Sequence, residues 1–191
     1  AENGFVSAAV GAAMTGLRPV VEIGFEDFLT CCMDPLVNQA AKLRYMSGGQ
    51  ATVPLTIRAT MGAGRSSAAQ HSQSLHAWTA HVPGLKVAIP STPKDAIGLF
   101  KTAVRDDNPV IVFEDKMMYA IKGPVPDVVD PIPFGVADIK RPGDDVTLIA
   151  TSSMVLVALA AAEELAKDGI SCEVIDPRTI VPLDTDTMIQ S

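Results

Sequence analysis

The chain has 191 residues, 48% of them hydrophobic and 19% charged, with 22 acidic against 15 basic side chains and a net charge of −7. That excludes a disordered chain, which would be polar and highly charged, and argues against nucleic acid as a partner, because phosphate binding needs a basic face. Three cysteines, two of them the adjacent pair Cys31–Cys32, do not make a secreted disulfide framework and point to a reducing compartment.

No apolar run reaches the ~18 residues that span a bilayer, and no basic region of a signal peptide opens the chain. The start at Ala1 rather than Met reads as a chain processed, cut or taken from a longer one. Short β-rich runs and longer helix-period runs then alternate. Phe5–Met14 predicts a tightly packed helix and Arg18–Ile23 a strand with Pro at its start. Asp34–Tyr45 predicts a helix whose apolar residues share a face. A strand at Val53–Ile57, a helix over Ser66–His81 and a strand at Leu85–Ile89 follow. Thr92-Pro93 opens a helix, with an N-cap and Pro at the first helical position, that runs to about Arg105. Val110–Phe113 is a strand apolar on both faces.

Lys122–Pro142 holds Pro124, Pro126, Pro131, Pro133 and Pro142 and reads as an extended linker. Beyond it come a strand at Val146–Ala150, a helix at Met154–Lys167 ended by Gly169, and a strand at Cys172–Ile175. Alternation of this kind predicts an α/β fold with parallel sheets. The boundaries expected are a first α/β domain at 1–121, a linker at 122–142 and the start of a second α/β domain at 143–191.

Several residues invite chemistry. His71, His76 and His81 are spaced by five, which turns about 140° per step on a helix and denies them a common face for zinc. Gly62-Ala63-Gly64 suggests a dinucleotide turn, but Ser67 stands at the third position of the fingerprint and Ile89-Pro90-Ser91 offers no acid for a ribose. Cys31–Cys32 fits buried packing better than a reactive thiol. The loop Arg105-Asp106-Asp107-Asn108-Pro109 is an ordinary helix-to-strand turn whose carbonyls suit a monovalent cation equally well; spacing does not choose between the two.

A set of segments in fixed order goes further. They are Ala1-Glu2-Asn3-Gly4-Phe5, Val10-Gly11-Ala12-Ala13-Met14-Thr15-Gly16-Leu17-Arg18-Pro19-Val20, Asn38-Gln39-Ala40-Ala41-Lys42, Tyr45-Met46-Ser47-Gly48-Gly49, Gln70-His71-Ser72-Gln73-Ser74, Pro83-Gly84-Leu85-Lys86-Val87 and Arg105-Asp106-Asp107-Asn108-Pro109. Together they closely resemble the β subunit of the thiamine-diphosphate-dependent decarboxylase component of 2-oxo acid dehydrogenase complexes, of the pyruvate and acetoin types. The resemblance covers essentially the whole chain. The family's subunit is longer at both ends, so an internal fragment or truncated form is expected.

The resemblance implies a thiamine-diphosphate-binding fold: a pyrimidine-binding domain with a parallel sheet flanked by helices, then the start of a transketolase-like C-terminal domain. It implies oxidative decarboxylation with acyl transfer to a lipoyl carrier. Glu2 matches the glutamate that hydrogen-bonds the pyrimidine ring of the cofactor, and Phe28 the aromatic ring set against that pyrimidine. Gly24 lies beside it, and His71 matches the histidine that handles the acyl group. Leu55, Ala103, Asp106 and Asn108 match positions whose backbone carbonyls hold potassium. Magnesium and the diphosphate would belong mainly to an α subunit in an α2β2 heterotetramer that serves a lipoyl-bearing acyltransferase. A bacterial cytoplasm or a mitochondrial matrix would house it, without membrane or nucleic-acid contacts. Alternatives are a branched-chain 2-oxo acid dehydrogenase β subunit and a non-catalytic truncated assembly piece. Gly24, Pro35 and Thr60-Met61 depart from the family's usual residues.

Overall fold

The computed structural model describes residues 1–191. Helix α1 (Glu2–Met14) begins at Glu2 rather than Phe5, and its buried residues Val6, Ala9, Val10 and Ala13 recur at i, i+3, i+4 and i+7, the spacing of one helical face. Strand β1 (Val20–Ile23) alternates exposed and buried residues, with Val21 and Ile23 inward. A 3-10 helix at Glu26–Cys32, a π-helical stretch at Asp34–Ala40 and the short helix α2 (Leu43–Met46) follow. The single helix expected over Asp34–Tyr45 is thus broken. Pro35 has no N–H to give a regular ladder, and the wide turn closes through Ala41 N–H to the Leu36 carbonyl, 3.0 Å.

Strand β2 (Thr56–Met61) starts later than expected, because Pro54 cannot donate to a ladder. The helix expected over Ser66–His81 does not form. Only a 3-10 turn at Ala69–His71 and a short helix α3 (His76–Ala80) are helical there. Ser66 and Ala68 hold φ of 54° and 62°, left-handed values incompatible with a right-handed helix. Strand β3 (Lys86–Ala88) and helix α4 (Pro93–Ala103) come next, the latter capped by Thr92 Oγ1 accepting from Asp95 N at 3.0 Å. Strand β4 (Val110–Asp115) runs into a 3-10 turn, Lys116–Ala120. The extended stretch ends in strand β5 (Asp138–Arg141). Strand β6 (Val146–Ile149), helix α5 (Met154–Lys167), strand β7 (Cys172–Asp176), strand β8 (Thr179–Val181) and helix α6 (Thr185–Gln190) complete the chain.

Two sheets result. The first has the order β1-β2-β4-β3-β8 and the second β5-β7-β6. The first four strands of the larger sheet are parallel, as are β6 and β7. The α/β architecture with a parallel core stands, but each sheet gains one antiparallel edge strand, β8 on β3 and β5 on β7. Alternating strand and helix does not foretell either of them. One face of the larger sheet packs Ile23, Ile57, Ala59, Ile111 and Phe113 against α1 and the irregular helices. The other packs Val110 and Val112 against Leu99 and Ala103 of α4, with Ile132 of the extended stretch lying over them. Ile132 N bonds to the Gly98 carbonyl at 3.1 Å, and a Cβ on Gly98 would lie 2.5 Å from the Ile132 side chain, so any larger residue would have to push Ile132 aside.

A buried charged cluster ties the two sheets. Lys140 of β5 lies 2.7 Å from both Asp95 of α4 and Asp138, and 3.5 Å from Asp176 at the end of β7. Ser91 Oγ donates to Asp176, and Arg178 approaches Asp95 at 3.6 Å. Burial pushes the Asp176 carboxyl up. Burial also works against the Asp95 carboxylate, but hydrogen bonds from Lys140 and Thr92 outweigh it and hold Asp95 below its usual range.

Candidate active site

In a parallel sheet the loops that follow the strands gather at one edge. Here β1 leads into Gly24, Phe25 and the turn that carries Phe28. Strand β2 leads into Gly62 and the loop that carries His71, and β4 leads into Lys116. Helix α1 precedes β1 and starts at the same edge. Helix α1 packs against the 3-10 helix that carries Phe28 and Cys32, and the Glu2 charge adds a little to the burial that raises the Cys32 thiol. Gly24, Phe28, His71 and Glu2 therefore converge on one rim.

The centre of that rim is aromatic. The His71 ring lies 4.4 Å from Phe25 at 76° and 5.4 Å from Phe28 at 88°, while Phe25 and Phe28 stand 6.2 Å apart at 88°. These are edge-to-face contacts, favoured by the ring quadrupoles. The Lys116 ammonium sits 4.9 Å from the Phe25 ring centroid and donates to the His71 carbonyl. Gly24 accepts from Thr60 Oγ1 through its carbonyl, and a Cβ at Gly24 would meet nothing within 4 Å. Glu2 keeps its side chain 28% exposed. A hydrogen bond from its own backbone N–H is the chief reason its carboxyl lies below the usual range, so it is an anion and an acceptor at neutral pH.

Beneath the aromatics lies a cluster that pattern reading overlooks. Glu26 is fully buried, and Asp27 and Lys116 are nearly so. Burial pushes the Glu26 carboxyl up to about 7, and Asp27 adds to this, while the Leu75 N–H and Lys116 oppose it. The available signal was a Glu-Asp pair set between Phe25 and Phe28 directly after a buried strand.

The other four expected residues lie at the opposite edge, before the strands begin. Leu55 carbonyl accepts from Val110 N at 2.9 Å, and Ala103 carbonyl from Asp106 N at 3.2 Å. The Asp106 carboxylate pairs with Lys86 and accepts from Asn108 N at 2.9 Å, and Asn108 Oδ1 accepts from Arg44 at 2.6 Å. The Arg18 guanidinium donates to the Asp106 and Val104 carbonyls at 3.0 and 3.4 Å. Ala103, Asp106 and Asn108 thus gather in one turn whose carbonyls face a cation of the chain itself.

Other features of the sequence gather no site. No group of three or more His, Cys, Asp or Glu side chains comes together to hold a metal ion, and no helix is long and apolar enough to cross a membrane. Cys32 is buried, and desolvation pushes its thiol up to about 12, which makes it an inert core residue. After Gly62-Ala63-Gly64 no helix opens, so the phosphate-binding helix N-terminus of a dinucleotide turn is missing.

Comparison with known proteins gives these residues a context. The family model of the transketolase pyrimidine-binding domain matches residues 1–122, and that of the transketolase C-terminal domain matches 135–191. The chain is 52% identical over 190 residues to the acetoin:2,6-dichlorophenolindophenol oxidoreductase subunit beta of Bacillus subtilis (strain 168), covering 100% of this chain and 56% of that protein. It is 52% identical over 190 residues to the pyruvate dehydrogenase E1 component subunit beta of Rickettsia felis, covering 58% of it. The chain therefore spans little more than half the length of these relatives. Among solved structures, a split gene transketolase described as an inactive beta4 tetramer matches with a TM-score of 0.81 at 23% identity, over 100% of this chain and 59% of that one. At that identity the likeness concerns the fold.

Proposed function

The chain belongs to the transketolase family, as a pyrimidine-binding domain followed by a transketolase C-terminal domain, and from that membership we propose that it supplies the pyrimidine side of a thiamine diphosphate site in the β subunit of a 2-oxo acid or acetoin dehydrogenase. The observation that carries this is the convergence of Glu2, Gly24, Phe28 and His71 on the carboxyl-end rim of the larger sheet.

The residues fit the group. A flat heterocycle needs an aromatic face, open space beside it and a group that can share a proton with a ring nitrogen. Phe28 supplies the first, the empty volume at Gly24 the second and the Glu2 carboxylate the third. When bound, thiamine diphosphate supplies the electron sink for cleaving the bond next to a keto group. The protein side of the work is acid–base and steric. Glu2 would share a proton with the pyrimidine nitrogen, and Phe28 would pack against the ring. His71, braced by Phe25 and Phe28, gives or takes a proton at the acyl group as it moves to its acceptor.

The rest of the assignment belongs to the whole protein. It comprises an α subunit in an α2β2 heterotetramer that holds magnesium and the diphosphate, and a lipoyl-bearing acyltransferase as acceptor. The setting proposed is a bacterial cytoplasm or mitochondrial matrix. Leu55, Ala103, Asp106 and Asn108 are proposed to hold potassium through their carbonyls. What supports the partnership is that both relatives are named as beta subunits. The test is calorimetric titration of thiamine diphosphate with magnesium into the chain mixed with an α-type subunit. Binding should require both chains and weaken with Phe28→Ala. Unchanged binding by Phe28→Ala would overturn the proposal, and a mixture that assembles without binding cofactor would favour a non-catalytic assembly piece.

A further inference from the structure

The loop that carries His71 is held from below by three charged side chains that the chemistry above does not use. Lys116 Nζ donates to the His71 carbonyl. Asp27 Oδ1 accepts from the backbone and side-chain amides of Gln73 at 3.3 and 2.7 Å. Glu26 Oε1 accepts from the backbone N–H of Leu75. Every second residue of the segment 71–75 is therefore tied to a buried ionisable side chain. The loop's other arm is tied as well: Gly62 N bonds to the Gln73 carbonyl at 2.8 Å, and Arg65 donates to the Lys116 carbonyl at 2.8 Å.

A surface loop needs no such foundation. Burying carboxylates is costly, and here the second oxygens of both Glu26 and Asp27 have no hydrogen-bond partner. Groups kept under those conditions serve something other than stability. What they hold is one backbone segment, and that segment's only titratable side chain facing the aromatic rim is His71.

We propose that Glu26 is a positioning residue for His71: acting through the Leu75 amide, and together with Asp27 and Lys116, it fixes the loop so that the imidazole stays against Phe25 and Phe28 and the step His71 performs runs at full rate. This rests on the role given to His71 above. Glu26 itself touches no reacting atom. Its part is to keep loop freedom from becoming imidazole freedom, because a displacement of about 1 Å at a catalytic group costs about a hundredfold in rate.

Amide hydrogen exchange in the chain and turnover in the assembled enzyme test this together, for Glu26→Ala, Glu26→Gln, His71→Ala and the Glu26→Ala/His71→Ala double variant. Glu26→Ala should speed exchange at Leu75 by about tenfold, the effect of one lost buried acceptor, and lower turnover by about ten- to a hundredfold. Glu26→Gln keeps an oxygen for the Leu75 N–H and should restore most of both. In a His71→Ala background Glu26→Ala should change turnover by less than about twofold, because a residue that acts through His71 has nothing left to act on. Lys116→Gln reaches the same loop from the other side and must show the same dependence on His71, which keeps the test available if Glu26→Ala folds poorly. Unchanged exchange at Leu75, or an equal loss of turnover with and without His71, overturns the proposal. Turnover that falls with His71→Ala but not with Glu26→Ala overturns the positioning role alone. Turnover indifferent to His71→Ala removes the role of His71 and the positioning role with it.

Discussion

His71 stands edge-on to Phe28, with 5.4 Å between ring centroids and 88° between planes. Phe25 closes the other side at 4.4 Å. Two edge-to-face contacts, each worth about 0.5–1.5 kcal/mol beyond burial, hold an imidazole on a loop with almost no regular structure. Phe25→Leu should therefore lower unfolding stability by about 1–2 kcal/mol and broaden the His71 ring resonances. Ring signals that keep their shifts and widths would mean that the backbone ties alone set the histidine.

Stability should depend on pH through Glu26. Its carboxyl is raised from an ordinary 4.5 to about 7 by burial, so the native state holds that proton more tightly than the unfolded chain. The stabilisation from protonation is full below about pH 4.5 and is lost as pH rises through about 7, by at most about 3 kcal/mol. Glu26→Gln should flatten that part of the curve. Urea midpoints measured between pH 5 and 8 decide the matter, and a wild-type curve parallel to that of the Gln variant would show that Glu26 does not titrate there.

Lys140 is the centre of the cluster that joins the two sheets, within 3.5 Å of Asp95, Asp138 and Asp176. Lys140→Met leaves Asp95 and Asp176 buried with only Arg178 nearby, and should cost about 3–5 kcal/mol. Adding Asp95→Asn removes the stranded charge and should return part of that loss, so the double variant should be more stable than the single one. Additive losses in urea unfolding would mean that the cluster is not electrostatically coupled.

How much of this was legible depended on sequence distance. Helices α4 and α5 announce themselves through local periodicity, α4 also through the Thr92 cap and Pro93, and α1 through its run of small apolar residues. The family resemblance supplied Glu2, Phe28 and His71, which the fold brings to one rim. Ser66 and Ala68 escaped because nothing in those residue types signals a positive-φ backbone. Strand β8 escaped because its partner β3 lies far away in sequence. Lys140, Asp95 and Asp176 read individually as surface charges, and only the meeting of β5, α4 and β7 makes them a buried cluster. The same holds for Lys116, whose contact with His71 spans α3, β3, α4 and β4.

At the opposite edge the carbonyls of Asp106 and Val104 already face the Arg18 guanidinium. If potassium binds the turn through Leu55, Ala103, Asp106 and Asn108, the unfolding midpoint should be higher in potassium chloride than in choline chloride at equal ionic strength, with a gain that grows with potassium concentration. Arg18→Met should enlarge that difference by freeing the Asp106 carbonyl, the one proposed ligand that Arg18 holds. Identical midpoints in both salts, for both proteins, would leave the turn to Arg18 alone.

The final prediction concerns Glu2, whose carboxylate is partly exposed, unlike the buried Glu26 and Asp27. A hydrogen bond from its own backbone N–H holds its carboxyl below the usual range. A partly exposed carboxylate can reach a ring nitrogen, although a carboxyl held below its usual range shares a proton less readily. Glu2→Gln keeps size and shape but removes the basic oxygen. In the assembled enzyme it should slow exchange of the thiazolium C2 proton of thiamine diphosphate by ~10²–10⁴-fold, the usual worth of a positioned acid–base group. Cofactor affinity should fall far less, because Phe28 and the partner's contacts are untouched. The ratio of the two losses is diagnostic. A residue that only anchors the cofactor loses affinity and rate together, whereas an activating residue loses rate alone. Exchange that proceeds unchanged in the Gln variant would remove Glu2 from the chemistry, and equal losses in affinity and exchange would reduce it to an anchor.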